Sequence, residues 1–131
     1  MNVVDSSAWL EYFADGPNAE ELAPVIRAVD ELVVPTITVF EVFKRSRMQR
    51  DTDAALRVVA QMRRGRLVPL DADLAVAAAE LSAESSLPLA DSVVLATARA
   101  HGASLWTQDG DFEGMDDVEY RAHRRRSGAG G

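Results

Sequence analysis

Short apolar runs alternate along this chain with longer segments of helical pattern. The runs 3–4 and 32–34 are apolar throughout, the run 103–106 is apolar except for Ser104, and 66–70 and 118–120 are weaker candidates. Strands buried on both faces are continuous apolar runs, and strands that alternate with helices form parallel sheets. The pattern predicts an α/β domain with a central, mostly parallel sheet of four to five short strands.

Capping residues and breakers divide the remaining sequence into helices. Ser6 or Ser7 can cap the first helix, Asp15-Gly16-Pro17 ends it, and His101-Gly102 is a C-terminal signal for the last one. The predicted helices cover residues 6–13, 18–29, 38–49, 51–64, 71–86 and 90–100. We find no internal repeat and no interdomain linker, so the chain is expected to be one folded unit.

Five carboxylates occupy positions that this architecture brings together. Asp5 ends the first apolar run and Asp109 closely follows the run 103–106, while Glu41, Asp91 and Asp111 are the other three. The carboxyl ends of parallel strands share one edge, where ligands usually bind. Like charges gathered there repel one another unless a cation neutralises them. Carboxylate oxygens suit Mg²⁺ or Mn²⁺, so the arrangement indicates metal-dependent phosphate chemistry.

Structural roles for three of these acids remain open. Asp5 can cap the helix that follows it, and Asp91 lies in a first helical turn, where the helix dipole favours an anion. Asp109-Gly110 is also ordinary turn chemistry. Each structural role is sufficient to explain its own acid. The reason to treat the acids as one site is that they share one edge of the predicted sheet.

Glu41 has two structural alternatives of its own. Thr38 and Glu41 have the spacing of a capping box, in which the two side chains satisfy amides at a helix start. Glu41 can also pair with Arg45 one turn further along the same helix.

The distribution of charge is more informative than the net charge of −7. Residues 1–43 contain eight acids and one base (−7), residues 44–66 eight bases and two acids (+6), and residues 67–120 eleven acids and one base (−10). The last eleven residues add four arginines. A basic segment on an acidic body predicts a phosphate-binding rim beside a metal site, although a solvated helix face explains Lys44, Arg45, Arg47 and Arg50 equally well.

Composition excludes several classes of protein. With 131 residues and 47% hydrophobic content the chain can bury a core of its own. Because it contains no cysteine, disulfide scaffolds, zinc–thiolate sites and cysteine catalysis are excluded. It has no basic leader and no apolar run near the roughly 20 residues that span a bilayer, so we expect a cytoplasmic protein with no membrane contact.

Two other metal sites fail on residue identity. Residues 109–114 match the start of a calcium-binding EF-hand loop, but its twelfth position is Tyr120 instead of a bidentate glutamate, and a strand precedes it. A zinc site is also excluded, because the two histidines, His101 and His123, have no ligand-spaced partner.

Four motifs, in this order, resemble those of the PIN-domain ribonucleases, and their order and the chain length most resemble the VapC toxins of bacterial VapBC toxin–antitoxin pairs. The motifs are Val3-Val4-Asp5-Ser6-Ser7-Ala8-Trp9-Leu10, Pro35-Thr36-Ile37-Thr38-Val39-Phe40-Glu41-Val42, Leu87-Pro88-Leu89-Ala90-Asp91-Ser92 and Thr107-Gln108-Asp109-Gly110-Asp111-Phe112. The resemblance implies a three-layer αβα sandwich over residues 1–122. The arginine- and glycine-rich composition of residues 123–131 predicts a disordered tail.

The resemblance also assigns roles to these residues. It implies a catalytic quartet of Asp5, Glu41, Asp91 and Asp109, three of which (Asp5, Asp91 and Asp109) hold Mg²⁺ or Mn²⁺. Auxiliary positions are Asp111, Ser7 and Thr107. The implied activity is cleavage of single-stranded or looped RNA by a metal-activated water, leaving a 3′-hydroxyl and a 5′-phosphate. The implied partners are RNA, a VapB-type antitoxin that occludes the site and a second copy in a homodimer, with Lys44, Arg45 and Arg47 as RNA-binding candidates.

The aromatic residues are candidates for the partner-binding groove, with core packing as the alternative for at least half of them because apolar residues at helical spacing are usually buried. They are Trp9, Tyr12, Phe13, Phe40 and Phe43.

Two other functions are compatible with grouped acids. A noncatalytic module holding a regulatory Mg²⁺ in the manner of receiver domains would need a lysine late in the chain, but Lys44 is the only lysine. A phosphatase with an aspartyl nucleophile would need an acid two residues after Asp5, where Ser7 stands. The noncatalytic module remains the alternative to the ribonuclease.

Overall fold

The computed structural model describes residues 1–124, and a parallel sheet lies at its centre. Within these residues the sheet has five strands: β1 (Asn2–Val4), β2 (Leu32–Pro35), β3 (Arg66–Val68), β4 (Ser104–Thr107) and β5 (Val118–Tyr120). Their order is β3-β2-β1-β4-β5, and every neighbouring pair is parallel. The predicted α/β class and parallel sheet are therefore confirmed.

Helices make most of the connections between the strands, as parallel pairing requires. They are α1 (Ser6–Phe13), α2 (Ala19–Arg27), α3 (Thr36–Gln49), α4 (Thr52–Met62), α5 (Ala72–Ser85) and α6 (Leu89–Ala100). Asp51 and Asp71 cap α4 and α5 by accepting hydrogen bonds from backbone amides three residues on, at 2.7 and 2.9 Å. Across residues 1–124, each helix is too short or too polar to pass through a membrane.

The sheet has a hydrophobic core on each face because successive strand residues point in opposite directions. Val4 and Val34 pack on one face with Trp9 and with residues of α2, α3 and α4. Val3 and Val33 pack on the other face, where α6 contributes Leu95 and α5 contributes partly buried residues. Helices therefore cover both faces, which confirms the three-layer αβα sandwich.

Helix α3 starts two residues earlier than the sequence predicts, and this overturns the capping box. Pro35 occupies the N-cap position, so Thr38 lies inside the helix, where its buried hydroxyl donates to the Pro35 carbonyl at 2.6 Å. A strand that passes directly into a helix leaves no loop in which Thr38 and Glu41 could cap each other. The capping-box interpretation of Glu41 is wrong.

The final described residues are attached to the connection between α1 and α2. The Arg124 guanidinium donates to Asn18 Oδ1 at 2.7 Å and to the Pro17 carbonyl at 3.1 Å. Residues 125–131, which make up most of the predicted disordered tail, lie outside the described residues.

Candidate active site

The predicted acids meet at the carboxyl edge of the sheet. Strands β1, β2 and β4 are neighbours, so their carboxyl ends lie side by side. Asp5 directly follows β1, and Asp109 comes two residues after β4. Helix α3 follows β2 and carries Glu41, while α6 carries Asp91 in its first turn. The topology thus brings together residues that are up to about a hundred positions apart in the chain.

Asp5 is the most deeply buried of these acids, with 3% of its surface exposed. Its Oδ2 accepts hydrogen bonds from Thr107 Oγ1 at 2.9 Å and from Ser7 Oγ at 3.1 Å. Burial raises the pKa of Asp5, and the hydrogen bond from Thr107 opposes that rise by stabilising the charged form. The Asp5 side chain makes no helix-capping hydrogen bond. Its Oδ2 bonds the hydroxyls of Thr107 and Ser7 instead.

The two hydroxyls also hold the loop that follows β4. The Asp109 amide donates to Thr107 Oγ1 at 2.9 Å, and the Gln108 amide donates to Ser7 Oγ at 3.0 Å. Asn18 Nδ2 reaches the Gln108 side chain at 2.6 Å. Sequence reasoning identified Ser7 and Thr107 but not Asn18 or Gln108, whose pairing depends on the packing of the α1–α2 connection against the end of β4.

Three carboxylates form a compact triad. Asp91, Asp109 and Asp111 each place an oxygen within 4.8 Å of the others. Asp109 Oδ1 also accepts the Asp111 amide at 2.9 Å, so the turn role and the cluster role of Asp109 coexist. Asp111, an auxiliary residue by resemblance, belongs to this triad, whereas Asp5 does not.

Mutual repulsion changes the acid–base behaviour of the cluster. Burial raises the pKa of Asp91 to about 7, with further contributions from the charges of Asp5, Asp109, Asp111 and Glu41 in that order. Burial and then the charge of Asp5 raise the pKa of Glu41 as well. The charges of the other four acids all contribute to the pKa of Asp91, so all five lie within electrostatic range of that group.

A divalent cation fits this donor set. The three oxygens of the triad are hard ligands at distances that one ion can bridge, and a positive charge would offset the burial and the repulsion that raise the pKa of Asp91. Oxygen-only donors favour Mg²⁺ or Mn²⁺ over metals that require sulfur or imidazole. The arrangement can therefore bind a phosphate-activating metal.

Comparison with known families decides the classification. The model of the PIN domain matches residues 3–118, nearly the whole chain. This chain belongs to the PIN-domain family. A search of curated protein sequences finds no match.

Several solved structures of toxin–antitoxin systems contain chains similar to this PIN domain. It is similar to a chain of a toxin–antitoxin complex from Klebsiella pneumoniae (TM-score 0.77, 22% identity, covering 91% of this chain and 96% of the other). It is also similar to Mycobacterium tuberculosis VapC20, a toxin that cleaves the sarcin–ricin loop (TM-score 0.74, 22% identity, 92% and 99% covered). FitAcB from Neisseria gonorrhoeae has a TM-score of 0.63 at 21% identity, with 92% and 97% covered. VapC toxins thus share the fold of this PIN domain.

The basic candidates of the PIN domain lie on α3, beyond Glu41. Lys44 and Arg45 are exposed and line a groove together with Glu41. Arg47 is also exposed but lines a different, apolar groove. Among the described residues Glu41 and Arg45 form no ion pair, so the proposed helix-surface pair is not present.

The aromatic candidates divide sharply by exposure. Trp9 is fully buried in the core, so its assignment to a partner groove is wrong. Tyr12, Phe13 and Phe43 are half-buried, and the rings of Trp9 and Phe13 stack at 5.7 Å. Phe40, by contrast, is 65% exposed.

Proposed function

We propose that this PIN domain is a metal-dependent endoribonuclease of the VapC type, the toxin of a toxin–antitoxin pair that acts in the cytoplasm and arrests growth by cutting RNA. The observation that carries the proposal is the convergence of five acids, otherwise unfavourable, at one edge of the sheet. They are Asp5, Glu41, Asp91, Asp109 and Asp111. A fold that gathers mutually repelling carboxylates is suited to binding a cation.

We assign different roles to the residues at this edge of the sheet. Asp91, Asp109 and Asp111 would hold Mg²⁺ or Mn²⁺, and Asp5 and Glu41 lie close enough for their charges to raise the pKa of Asp91. When bound, such an ion lowers the pKa of water and neutralises charge on a scissile phosphate. Thr107 and Ser7 are positioning residues, because their hydroxyls orient the Asp5 carboxylate and tie down the loop that carries Asp109.

The partners follow from the same proposal. Similar solved chains occur in a toxin–antitoxin complex from Klebsiella pneumoniae and in VapBC2 from Rickettsia felis bound to promoter DNA. We propose a VapB-type antitoxin, encoded next to this chain, that covers the acidic edge, and a homodimer of the toxin itself.

Expression of the chain with and without its neighbouring small gene tests the function. We expect growth arrest only when the neighbouring gene is absent. The purified chain should cleave single-stranded RNA with Mg²⁺ or Mn²⁺ and stop when EDTA is added, because the acids need the cation to approach a phosphate. A folded, Mn²⁺-binding chain that leaves RNA intact would favour the noncatalytic metal-binding module instead.

RNA binding by the basic face should depend on salt. We propose that Lys44, Arg45 and Arg47 contact phosphates. Changing Arg45 and Arg47 to alanine should weaken binding and reduce the slope of log K against log salt by about 0.7 for each lost contact to a single strand. Arg99→Ala, at an exposed arginine in the last turn of α6, is the matched control. An unchanged slope in the double variant would make these arginines solvated surface only.

A further inference from the structure

Phe40 is an aromatic side chain that the core does not use. It is 65% exposed, whereas every other aromatic residue in the described part of the chain is buried or half-buried. It directly precedes Glu41 on α3, so it stands at the border of the acidic cluster. Met48, two turns further along α3, is 71% exposed and lines the same surface groove, so the two side chains form an apolar patch, and such patches indicate a binding surface.

Phe40 forms one wall of a defined groove. The groove has a volume of about 470 Å³, within the range of ligand pockets. Its lining follows one stripe of α3: Phe40, Glu41, Lys44, Arg45 and Met48. Lys44 Nζ lies 6.0 Å from the centre of the Phe40 ring, so an aromatic face and a cation are presented together.

The charges of the groove fit an anionic ligand whose neutral part meets the ring. Among the described residues neither Lys44 nor Arg45 forms a salt bridge, so both cations are available to an incoming phosphate. Glu41 is the one acid in the lining, and burial, followed by the charges of Asp5 and Asp109, raises its pKa. The groove is therefore continuous with the acidic cluster.

On the basis of the proposed ribonuclease function, we propose that Phe40 stacks on an unpaired base of single-stranded RNA adjacent to the phosphate at the acidic cluster, while Lys44 and Arg45 hold neighbouring phosphates. Proteins that bind single strands combine aromatic stacking platforms with basic grooves in this way. Stacking requires a base free of its partner strand, so the subsite selects single-stranded or looped RNA.

A protein partner fits a different surface better. A second groove beside Phe40 is lined by five apolar side chains and two bases: Val39, Phe40, Phe43, Met48 and Val59, with Lys44 and Arg47. A mainly apolar groove accepts an amphipathic helix, whereas the groove that contains Lys44 and Arg45 also contains Glu41 and so adjoins the acidic cluster at which a phosphate would bind. The RNA base is therefore assigned to the charged groove.

The test is RNA binding by the full chain measured separately from cleavage. Fluorescence anisotropy with a short single-stranded RNA in EDTA, and again in Ca²⁺, reports binding. We expect Phe40→Leu, which keeps apolar volume but removes the ring, to weaken binding about 5- to 100-fold, and Phe40→Trp to retain it. The salt slope should stay unchanged, because the ring carries no charge. Val76→Ala, at a valine of α5 that is 63% exposed, is the control.

The outcomes separate this inference from the function on which it rests. Equal RNA affinity of Phe40→Leu and wild type, or no single-strand binding by wild type, overturns the subsite, while cleavage by wild type would still support the ribonuclease. Loss of affinity only for the protein of the neighbouring gene assigns the ring to that partner and also overturns the subsite. A wild type that binds single strands through Phe40 but cuts none would contradict the ribonuclease and retain the subsite.

Discussion

Asp5→Asn is expected to lower RNA cleavage by at least about 100-fold and to abolish growth arrest. The change removes one negative charge from the centre of the acidic edge and keeps the shape of the side chain. Thr107 and Ser7 can still donate to the amide oxygen that replaces Oδ2, so these two hydrogen bonds persist. The loss should therefore appear in the chemistry and not in the fold.

Initial rates of cleavage at saturating Mn²⁺, together with thermal unfolding of the same samples, measure this effect. The variant should unfold at the same temperature as wild type or higher, since a buried carboxylate whose pKa is raised by burial destabilises the folded state. Asp30→Asn makes the same chemical change at an exposed position and should leave cleavage intact. Cleavage by Asp5→Asn at the wild-type rate would remove Asp5 from the catalytic group.

Asp91→Asn is expected to stabilise the metal-free fold at pH 8 and to abolish most of its stabilisation by Mn²⁺. The pKa of Asp91 is about 7 in the folded chain against an ordinary value of 3.8. The folded state therefore binds more protons than the unfolded state between these values, and the free energy of unfolding falls as pH rises from about 4 to about 7. Above pH 7 Asp91 is charged in the folded state as well, and the loss of folding stability is complete.

The size of the effect follows from the same values. A pKa shift of this extent corresponds to about 4 kcal/mol of lost folding stability. Solvent screens this half-buried group, so the stability that Asp91→Asn is expected to gain is about 1–2 kcal/mol. Mn²⁺ at a hundredfold excess over its dissociation constant should stabilise wild type by about 2.7 kcal/mol. The variant lacks a carboxylate of the triad and should gain far less. The order of stabilities should consequently reverse when Mn²⁺ is added.

Urea unfolding at pH 5 and pH 8, with and without Mn²⁺, measures both effects. Asp73→Asn is a close control, because Asp73 occupies the first turn of α5 as Asp91 does that of α6, but it is exposed and outside the cluster. Both changes remove the same favourable interaction with a helix dipole, so their difference isolates the burial and the repulsion that raise the pKa of Asp91. A variant that responds to Mn²⁺ as wild type does would exclude Asp91 from the metal site.

Local patterns were sufficient for much of this architecture. Apolar runs such as 32–34 are long enough for a buried strand and too short for a helix, so the alternating α/β order could be predicted from the chain alone. The positions of Asp5 and Asp109 just after such runs could likewise be assigned to the carboxyl edge of a parallel sheet. Capping by Asp51 and Asp71 was predictable because those hydrogen bonds join residues three positions apart.

Contacts between distant segments were decided by the tertiary structure. The order of the strands places β4 beside β1, which lets Thr107 reach Asp5, and no local signal encodes that pairing. Packing of the α1–α2 connection against the end of β4 joins Asn18 to Gln108. The direct passage from β2 into α3 moved Thr38 into the helix and away from a cap.

The amino-acid sequence by itself determined the fold class and the set of acids, because hydrophobic period and strand-end position are properties of short segments. Only the tertiary structure decided that Asp111 joins Asp91 and Asp109 in the triad and that Phe40 faces solvent while Trp9 is buried. Those outcomes depend on how helices rotate and pack on the sheet, and that rotation is set by contacts with residues far away in the chain.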